Sequence, residues 1–261
     1  MEFIMKDNPQ RFLEVALEAV KKTEPIFRKH FGNASGIQQK GDSRESKVTD
    51  SDKEIERMLA EMIGVRFPDH AIVGEEGTAR SGSVYTWYID PIDGTTNYIQ
   101  GISCCSSSLA LWDASGPLVG IVADPVNRVT YTAIRGEGAF RNGVQIHVSS
   151  TALMKQGVGS LGWDWGHKES RMALITKIET NFFRWREFGG SALELCFVAT
   201  GITDFFVSSC INIWDMAAAS LIVSEAGGRV SEVNGGSITS FSRTIVATNG
   251  KLHQELLAQL K

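Results

Sequence analysis

Residues 87–97 read Trp87-Tyr88-Ile89-Asp90-Pro91-Ile92-Asp93-Gly94-Thr95-Thr96-Asn97. The apolar start has the character of a buried strand, and two aspartates arrive where that strand should end. Pro91 lacks an N–H and fixes its own φ, so the chain is expected to turn just after Asp90 and to aim the Ile92 carbonyl toward the two carboxylates. Gly94 lets the backbone approach an anion closely, and N–H groups at a helix start favour negative charge. One half of the stretch therefore suits hard cations and the other half a phosphate.

Working outward, residues 9–31 keep helical spacing through Phe12, Val15, Ala16, Ala19 and Val20. Asn8 can cap this helix, Pro9 suits its first position, Pro25 should kink or split it, and Gly32 should end it. Residues 33–47 are polar and Gly/Ser-rich, either a mobile loop or an active-site lid. A second helix is expected from about Asp52 to Arg66, with Ser51 and Glu54 matching a capping box. Strand patterns follow at His70–Val73, Val84–Ile89, Ser106–Trp112, Leu118–Ala123 and Val129–Ile134, and Phe140-Arg141-Asn142-Gly143 has the form of a hairpin turn. Further on come a strand at Gly157–Leu161, a helical stretch near Lys168–Asn181, and a helix opened by a Ser191/Glu194 capping box and stopped by Gly201. Strands at Asp204–Val207 and Thr244–Thr248 flank a helix from Asp215 to Ala226, and Lys251–Leu260 makes a last helix. Helices, then strands, then alternation predict a layered α+β or α/β fold in one domain, 1–261, rather than a bundle or a sandwich.

Bulk properties narrow the function. The chain has 261 residues, 43% hydrophobic and 21% charged, which is ordinary for a soluble globular protein. Its net charge of −4 comes without a basic block, which argues against nucleic-acid binding. The same charge repels an anionic substrate unless metals or local cations reverse the field. No apolar run is long enough for a membrane span and no export signal precedes the first helix, so a cytoplasmic protein is expected. Cys104, Cys105, Cys196 and Cys210 lack CxxC spacing and are expected as buried, reduced thiols. The five histidines show no ligand spacing. Arg184 and Arg186 fit either a second phosphate or a solvated helix edge.

Four acidic positions stand where a strand or helix ends: Glu75 (with Glu76), Asp90, Asp93 and Asp215. A lone aspartate is usually a solvated loop charge, and Asp215 could simply cap its helix. Four such groups after apolar segments carry more weight, because strand ends point into the crevice where open sheets bind ligands. Their oxygens suit Mg²⁺, Mn²⁺ or Ca²⁺ rather than soft metals. Enzymes accelerate phosphate-monoester hydrolysis by up to ~10²¹, whereas one general acid or base contributes about 10²–10⁴. The chain carries no G-x-S-x-G, C-x5-R or D-x-D-x-[TV] nucleophile motif. A metal-activated water is the remaining candidate, and the Thr95 hydroxyl could bridge to Glu75 to orient it.

Gly74-Glu75-Glu76, Asp90 to Asn97, Trp214-Asp215-Met216-Ala217-Ala218-Ala219 followed by Glu225-Ala226-Gly227-Gly228, and Val48-Thr49-x-x-Asp52 together resemble the signature motifs of the inositol monophosphatase-like family. These are metal-dependent, lithium-sensitive sugar-phosphate phosphatases, and the likeness spans nearly the whole chain. It implies a layered α-β-α-β-α sandwich, like fructose-bisphosphatase and inositol monophosphatase, and a homodimer. It implies two or three Mg²⁺ ions, with Mn²⁺ as a substitute. Glu75, Asp90 and the Ile92 carbonyl would hold the first ion, and Asp90, Asp93 and Asp215 the second. Asp52 would stand in the outer shell near a weaker third. Glu75, Thr95, Asp93 and Asp52 would be catalytic, and Asp93, Gly94, Thr95, Ser191 and Asp215 would contact substrate. The implied reaction converts inositol-1-phosphate to inositol and phosphate. Alternatives are fructose-bisphosphatase, histidinol-phosphatase, a nucleotide-phosphate phosphatase, or a regulatory binding module that keeps the fold. Neither a nucleic-acid nor a membrane partner is expected. Departures bear on the sugar rather than the metal ligands: Ser208 stands where inositol-selective members carry an acid, Gly190 where Ser or Thr is usual, and Ser191 where Ala is usual. Trp163-Asp164-Trp165-Gly166-His167 fits a pocket rim, a dimer contact or loop packing equally.

Overall fold

The computed structural model describes residues 8–40, 47–82, 84–162, 172, 175–176 and 184–260. Helix α1 (Pro9–His30) starts under Asn8, whose side chain accepts from Gln10 N at 3.0 Å. It buries Phe12, Val15, Ala16, Ala19, Val20 and Phe27 along one stripe. Pro25 does not split it: the packed stripe on both sides of the proline outweighs one missing N–H. After a short antiparallel pair, β1 (Gln38–Gln39) and β2 (Lys47–Val48), the chain enters α2 (Asp50–Arg66). Its capping box is Thr49/Asp52, not Ser51/Glu54. Thr49 has the extended backbone a cap requires, whereas Ser51 is already helical and buried.

An eight-stranded sheet follows, built from β3 (Ala71–Gly74), β4 (Ala79–Arg80), β5 (Thr86–Asp93), β6 (Ser106–Asp113), β7 (Gly116–Asp124), β8 (Val129–Ile134), β9 (Gly138–Arg141) and β10 (Val144–Gln145). Its order is β10-β9-β8-β7-β6-β5-β3-β4, antiparallel except for β3 beside β5. The β9–β10 turn is the expected hairpin, with Asn142 and Gly143 at φ 48° and 78°. Strand β5 corrects the expected turn after Asp90, because it continues through Pro91 to Asp93. Asp90 lies opposite Ser108 but Asp93 lies opposite Ser106, so three steps on β5 match two on β6. In a regular strand, residues three apart point to opposite faces. The bulge removes that alternation and leaves both aspartates in one crevice, with Pro91 where no ladder N–H is needed.

Helix α3 (Thr95–Gln100) leads from β5 into β6. The second sheet contains β11 (Val158–Leu161), β12 (Arg184–Arg186), β13 (Phe205–Ser208), β14 (Arg229–Ser231) and β15 (Ile245–Thr248) in the order β12-β11-β13-β15-β14. Helices α4 (Ser191–Ala199) and α5 (Ile213–Glu225) lie between the sheets, and α6 (His253–Leu260) covers the far side. The layers are thus α1/α2, sheet, α4/α5, sheet, α6. Alternating side chains connect them: Trp87 and Ile89 face α1 and α2, while Tyr88 joins Met216, Ile222 and Phe206 in the middle layer. Phe205, Val207 and Val246 meet Leu256 outside. Gly120 is required by contact, since a Cβ there would lie 2.6 Å from the Ala218 carbonyl oxygen of α5. Among the described residues no helix is long and apolar enough to cross a membrane.

The expected Lys168–Asn181 helix and the Trp163–His167 segment fall largely or wholly outside the described residues. None of the four cysteines, all of them described residues, forms a disulfide. Cys105 and Cys196 are buried and Cys104 is half-buried, but Cys210 is exposed, because it lies beyond β13 in the turn before α5. Arg184 and Arg186 lie on the exposed edge strand β12, not on a helix.

Candidate metal and phosphate site

The end of β5 and the start of α5 meet in the crevice between the first sheet and the middle helices. There Asp90, Asp93 and Asp215, 125 positions apart at the extremes, bring carboxylate oxygens within 4.8 Å of one another. Asp215 is placed by the helix start: its Oδ2 accepts from Asn212 N at 3.0 Å in a capping box. The capping role and the cluster role thus coincide in one side chain. Glu75 follows β3, which runs parallel to β5, and its N–H donates to the Ile89 carbonyl at 3.0 Å. Its charge acts on Asp90, although the group whose oxygens lie within 4.8 Å of one another is Asp90, Asp93 and Asp215.

Burial raises Asp90 well above the usual carboxylate range, and the charges of Glu75, Asp93 and Asp215 add to it. Burial and Glu75 do the same to Asp215. Burial also raises Asp93, with Glu194 and Glu75 contributing, although N–H groups from α4 oppose the shift. Asp90 is 1% exposed, and its Oδ1 is buried without a hydrogen-bond partner among the described residues. Such an oxygen, crowded by like charges, is stabilised by a proton or by a cation. The donors are hard oxygens at a spacing that one ion can bridge, so the residues fit Mg²⁺, Mn²⁺ or Ca²⁺.

Lys40 supplies a positive charge the sequence reading had only as part of a loop. Its Nζ lies 2.6 Å from Glu75 Oε1 and 2.5 Å from Glu76 Oε1. Burial lowers its pKa, but Glu75 and Glu76 outweigh that and keep the ammonium charged. The same burial pushes Glu76 up to about 7. The described part of the 33–47 loop thus reaches the acidic corner.

On the anion side, Gly94 caps α3 at φ 80°. A Cβ there would lie 2.8 Å from the Cys104 carbonyl oxygen and 3.0 Å from that of Gly189. Asn97 fixes these neighbours by donating to the carbonyls of Cys104 (2.8 Å) and Phe188 (2.6 Å). The Thr95 hydroxyl lies 3.0 Å from the Ile92 carbonyl oxygen and 3.3 Å from Asp52 Oδ1. Its acceptors are therefore the Ile92 carbonyl and Asp52, while Glu75 is engaged by Lys40. Asp52 is held by Thr49 N at 2.8 Å, and burial pushes it up to about 6.

Ser191 is the first residue of α4 and does not form the expected capping box with Glu194. Gly190 is the cap, Ser191 N donates to Asp93 Oδ1 at 3.1 Å, and Glu194 accepts from Gly189 N at 2.9 Å. Asp93 takes the helix N-terminus that the local pattern assigned to Glu194. Ser208 is buried and donates to the Cys210 carbonyl. The sequence reading missed Glu56, which is buried on α2 and bonded to the turn that carries Glu75. A charge between Ile55 and Leu59, one turn after Asp52, was the available signal.

The inositol monophosphatase family model matches residues 8–261. A fructose-1,6-bisphosphatase/inositol-1-monophosphatase of Thermotoga maritima is 35% identical over 245 residues, covering 94% of each chain. A Nus factor SuhB of Pasteurella multocida is 33% identical over 256 residues, covering 95% of each. A solved Thermotoga maritima IMPase aligns at a TM-score of 0.88 with 34% identity, covering 96% of each chain.

Proposed function

The chain belongs to the inositol monophosphatase family and is a phosphatase of phosphate monoesters, and from that premise we propose that it hydrolyses inositol-1-phosphate in a Mg²⁺-dependent reaction. The observation that carries this reading is the meeting of buried Asp90 and Asp93 with half-buried Asp215 within 4.8 Å, beside the left-handed Gly94 turn. Glu75, Asp90 and the Ile92 carbonyl would hold one ion, and Asp90, Asp93 and Asp215 a second. Asp52 would stand near a weaker third. When bound, the ions supply Lewis acidity, which activates water near neutral pH and offsets charge on the phosphoryl oxygens.

The chain's own groups do the rest. The Gly94 and Thr95 N–H groups bind phosphate at the start of α3. Glu75 and the Thr95 hydroxyl orient the attacking water. The Thr95 hydroxyl, lying 3.0 Å from the Ile92 carbonyl and 3.3 Å from Asp52 Oδ1, has acceptors for its own proton and keeps a lone pair free for the water's. Ser191 and Asp215 border the sugar. A homodimer, lithium sensitivity and a cytoplasmic location belong to the same reading.

The Thermotoga relative bears both a bisphosphatase and a monophosphatase name, so kcat/KM should be compared for inositol-1-phosphate, fructose 1,6-bisphosphate and histidinol phosphate with Mg²⁺ present. Inositol-1-phosphate is expected to rank first. A higher value for either competitor moves the assignment to that substrate, and release from none of them overturns it. A second reading rests on the Pasteurella relative's name, Nus factor: a protein- or RNA-contacting role on the same fold. The complete acidic cluster favours catalysis, and normal turnover with no partner retained in a pull-down dismisses the second role.

A further inference from the structure

Glu56 is 1% exposed on α2, one helical turn beyond Asp52 and on the same face. It lies outside the acidic cluster, yet its carboxylate is fully engaged. Oε2 accepts from Glu76 N at 2.7 Å and Oε1 from Thr78 N at 2.9 Å. Both donors belong to the turn between β3 and β4 that begins at Gly74 and presents Glu75. Gly74 N donates to Thr78 O at 2.7 Å and closes the same turn. A Cβ on Gly74 would lie 2.4 Å from Glu56 Cδ, so glycine is needed there to admit the carboxylate.

We propose that Glu56 is a positioning residue that sets Glu75 for cation binding by clamping the Gly74–Thr78 turn. The inference rests on the reading of Glu75 as a metal ligand. Two charge-assisted bonds to backbone donors hold the turn through a carboxylate that the helix itself holds still. Without them the turn lies between two short strands and carries Glu75 and Glu76, both pulled toward Lys40. Groups that orient ligands in this way typically change metal affinity by about 10–100-fold when removed. Glutamine is not a substitute, because its amide NH₂ would confront one of the two N–H donors.

The test measures Mn²⁺ affinity by calorimetry, and the Mg²⁺ dependence of phosphate release, for wild type, Glu56→Gln, Gly74→Ala and, as a reference, Glu75→Gln. Glu56→Gln and Gly74→Ala are each expected to weaken Mn²⁺ binding by about 10–100-fold. Both should raise the Mg²⁺ needed for half-maximal rate by a similar factor, while kcat recovers at saturating Mg²⁺. A residue with a merely structural role would lower the melting midpoint without that selective shift. If Glu75→Gln loses affinity while Glu56→Gln and Gly74→Ala keep the wild-type value, the inference is overturned and the ligand reading stands. If Glu75→Gln itself binds Mn²⁺ as wild type does, the ligand reading fails, and this inference with it. Should Glu56→Gln not fold, Gly74→Ala decides, because it displaces the same carboxylate from the other side of the contact.

Discussion

The carboxylate of Asp93 is gripped by the backbone at Ala192: Ala192 N donates to Oδ2 at 2.9 Å across 99 positions of sequence, and Ser191 N donates to Oδ1 at 3.1 Å. The bulged end of β5 is thereby fastened to the start of α4, where the helix dipole favours negative charge. Asparagine at 93 would lose the charge and turn an NH₂ toward one of these donors. Asp93→Asn is expected to reduce phosphate release by more than about 100-fold. Activity within twofold of wild type would remove Asp93 from the site.

Gly94→Ala tests the anion side. The left-handed φ of 80° and the 2.8 Å approach to the Cys104 carbonyl both resist a side chain. A loss of about 1–3 kcal/mol in urea unfolding is expected, together with weaker inhibition by inorganic phosphate. Unchanged stability and unchanged phosphate inhibition would show that the backbone need not come so close.

Lys40→Met isolates the internal cation. Removing a charge 2.6 Å from Glu75 Oε1 leaves the acidic corner more negative. Mn²⁺ affinity is expected to rise on the order of tenfold, as for a charge pair at intermediate dielectric. A fall in affinity would mean that Lys40 organises the ligands more than it competes with the ion.

The pH dependence of the metal-free protein follows from the buried acids. Asp90, Asp93 and Asp215 are raised by burial and mutual repulsion, Asp52 reaches about 6 and Glu194 about 7. Unfolded carboxyls titrate near 4. Between those values the native state binds more protons than the unfolded state, so stability is present at acid pH and is lost as pH rises through the folded pKa values. In EDTA the melting midpoint is expected to fall between pH 5 and pH 7.5, and Mg²⁺ at pH 7.5 should restore several degrees. A midpoint that climbs over this range without metal would contradict the crowding of charge.

Helices α1, α2, α4, α5 and α6, the longer strands and all members of the acidic cluster were legible because they rest on local periodicity or on a dense motif, whereas the short α3 was not expected. The Asn142-Gly143 turn was legible for the same reason: residues that adopt positive φ announce it. What was not legible depends on long-range partners. The β5 bulge is visible only against Ser106 and Ser108, and the capping of α4 was misread because Asp93, far away in sequence, outcompetes Glu194 for the helix start. Thr95 was expected to bridge toward Glu75, but its hydroxyl lies against the Ile92 carbonyl and Asp52 while Lys40 engages Glu75, pairings that no local pattern announces. Glu56 was passed over because a carboxylate in an amphipathic helix usually faces water.

The central claim is that the Asp90 corner holds divalent ions that drive monoester hydrolysis, and Asp90 Oδ1 is buried there with no hydrogen-bond partner among the described residues. The most direct measurement is phosphate release from inositol-1-phosphate by wild type and Asp90→Asn, first in excess EDTA and then through a Mg²⁺ titration, with Mn²⁺ binding followed in parallel. Wild type is expected to be silent in EDTA and restored by Mg²⁺, while Asp90→Asn binds Mn²⁺ poorly and stays inactive at every concentration. Full turnover in EDTA, or full activity in Asp90→Asn, would contradict the account.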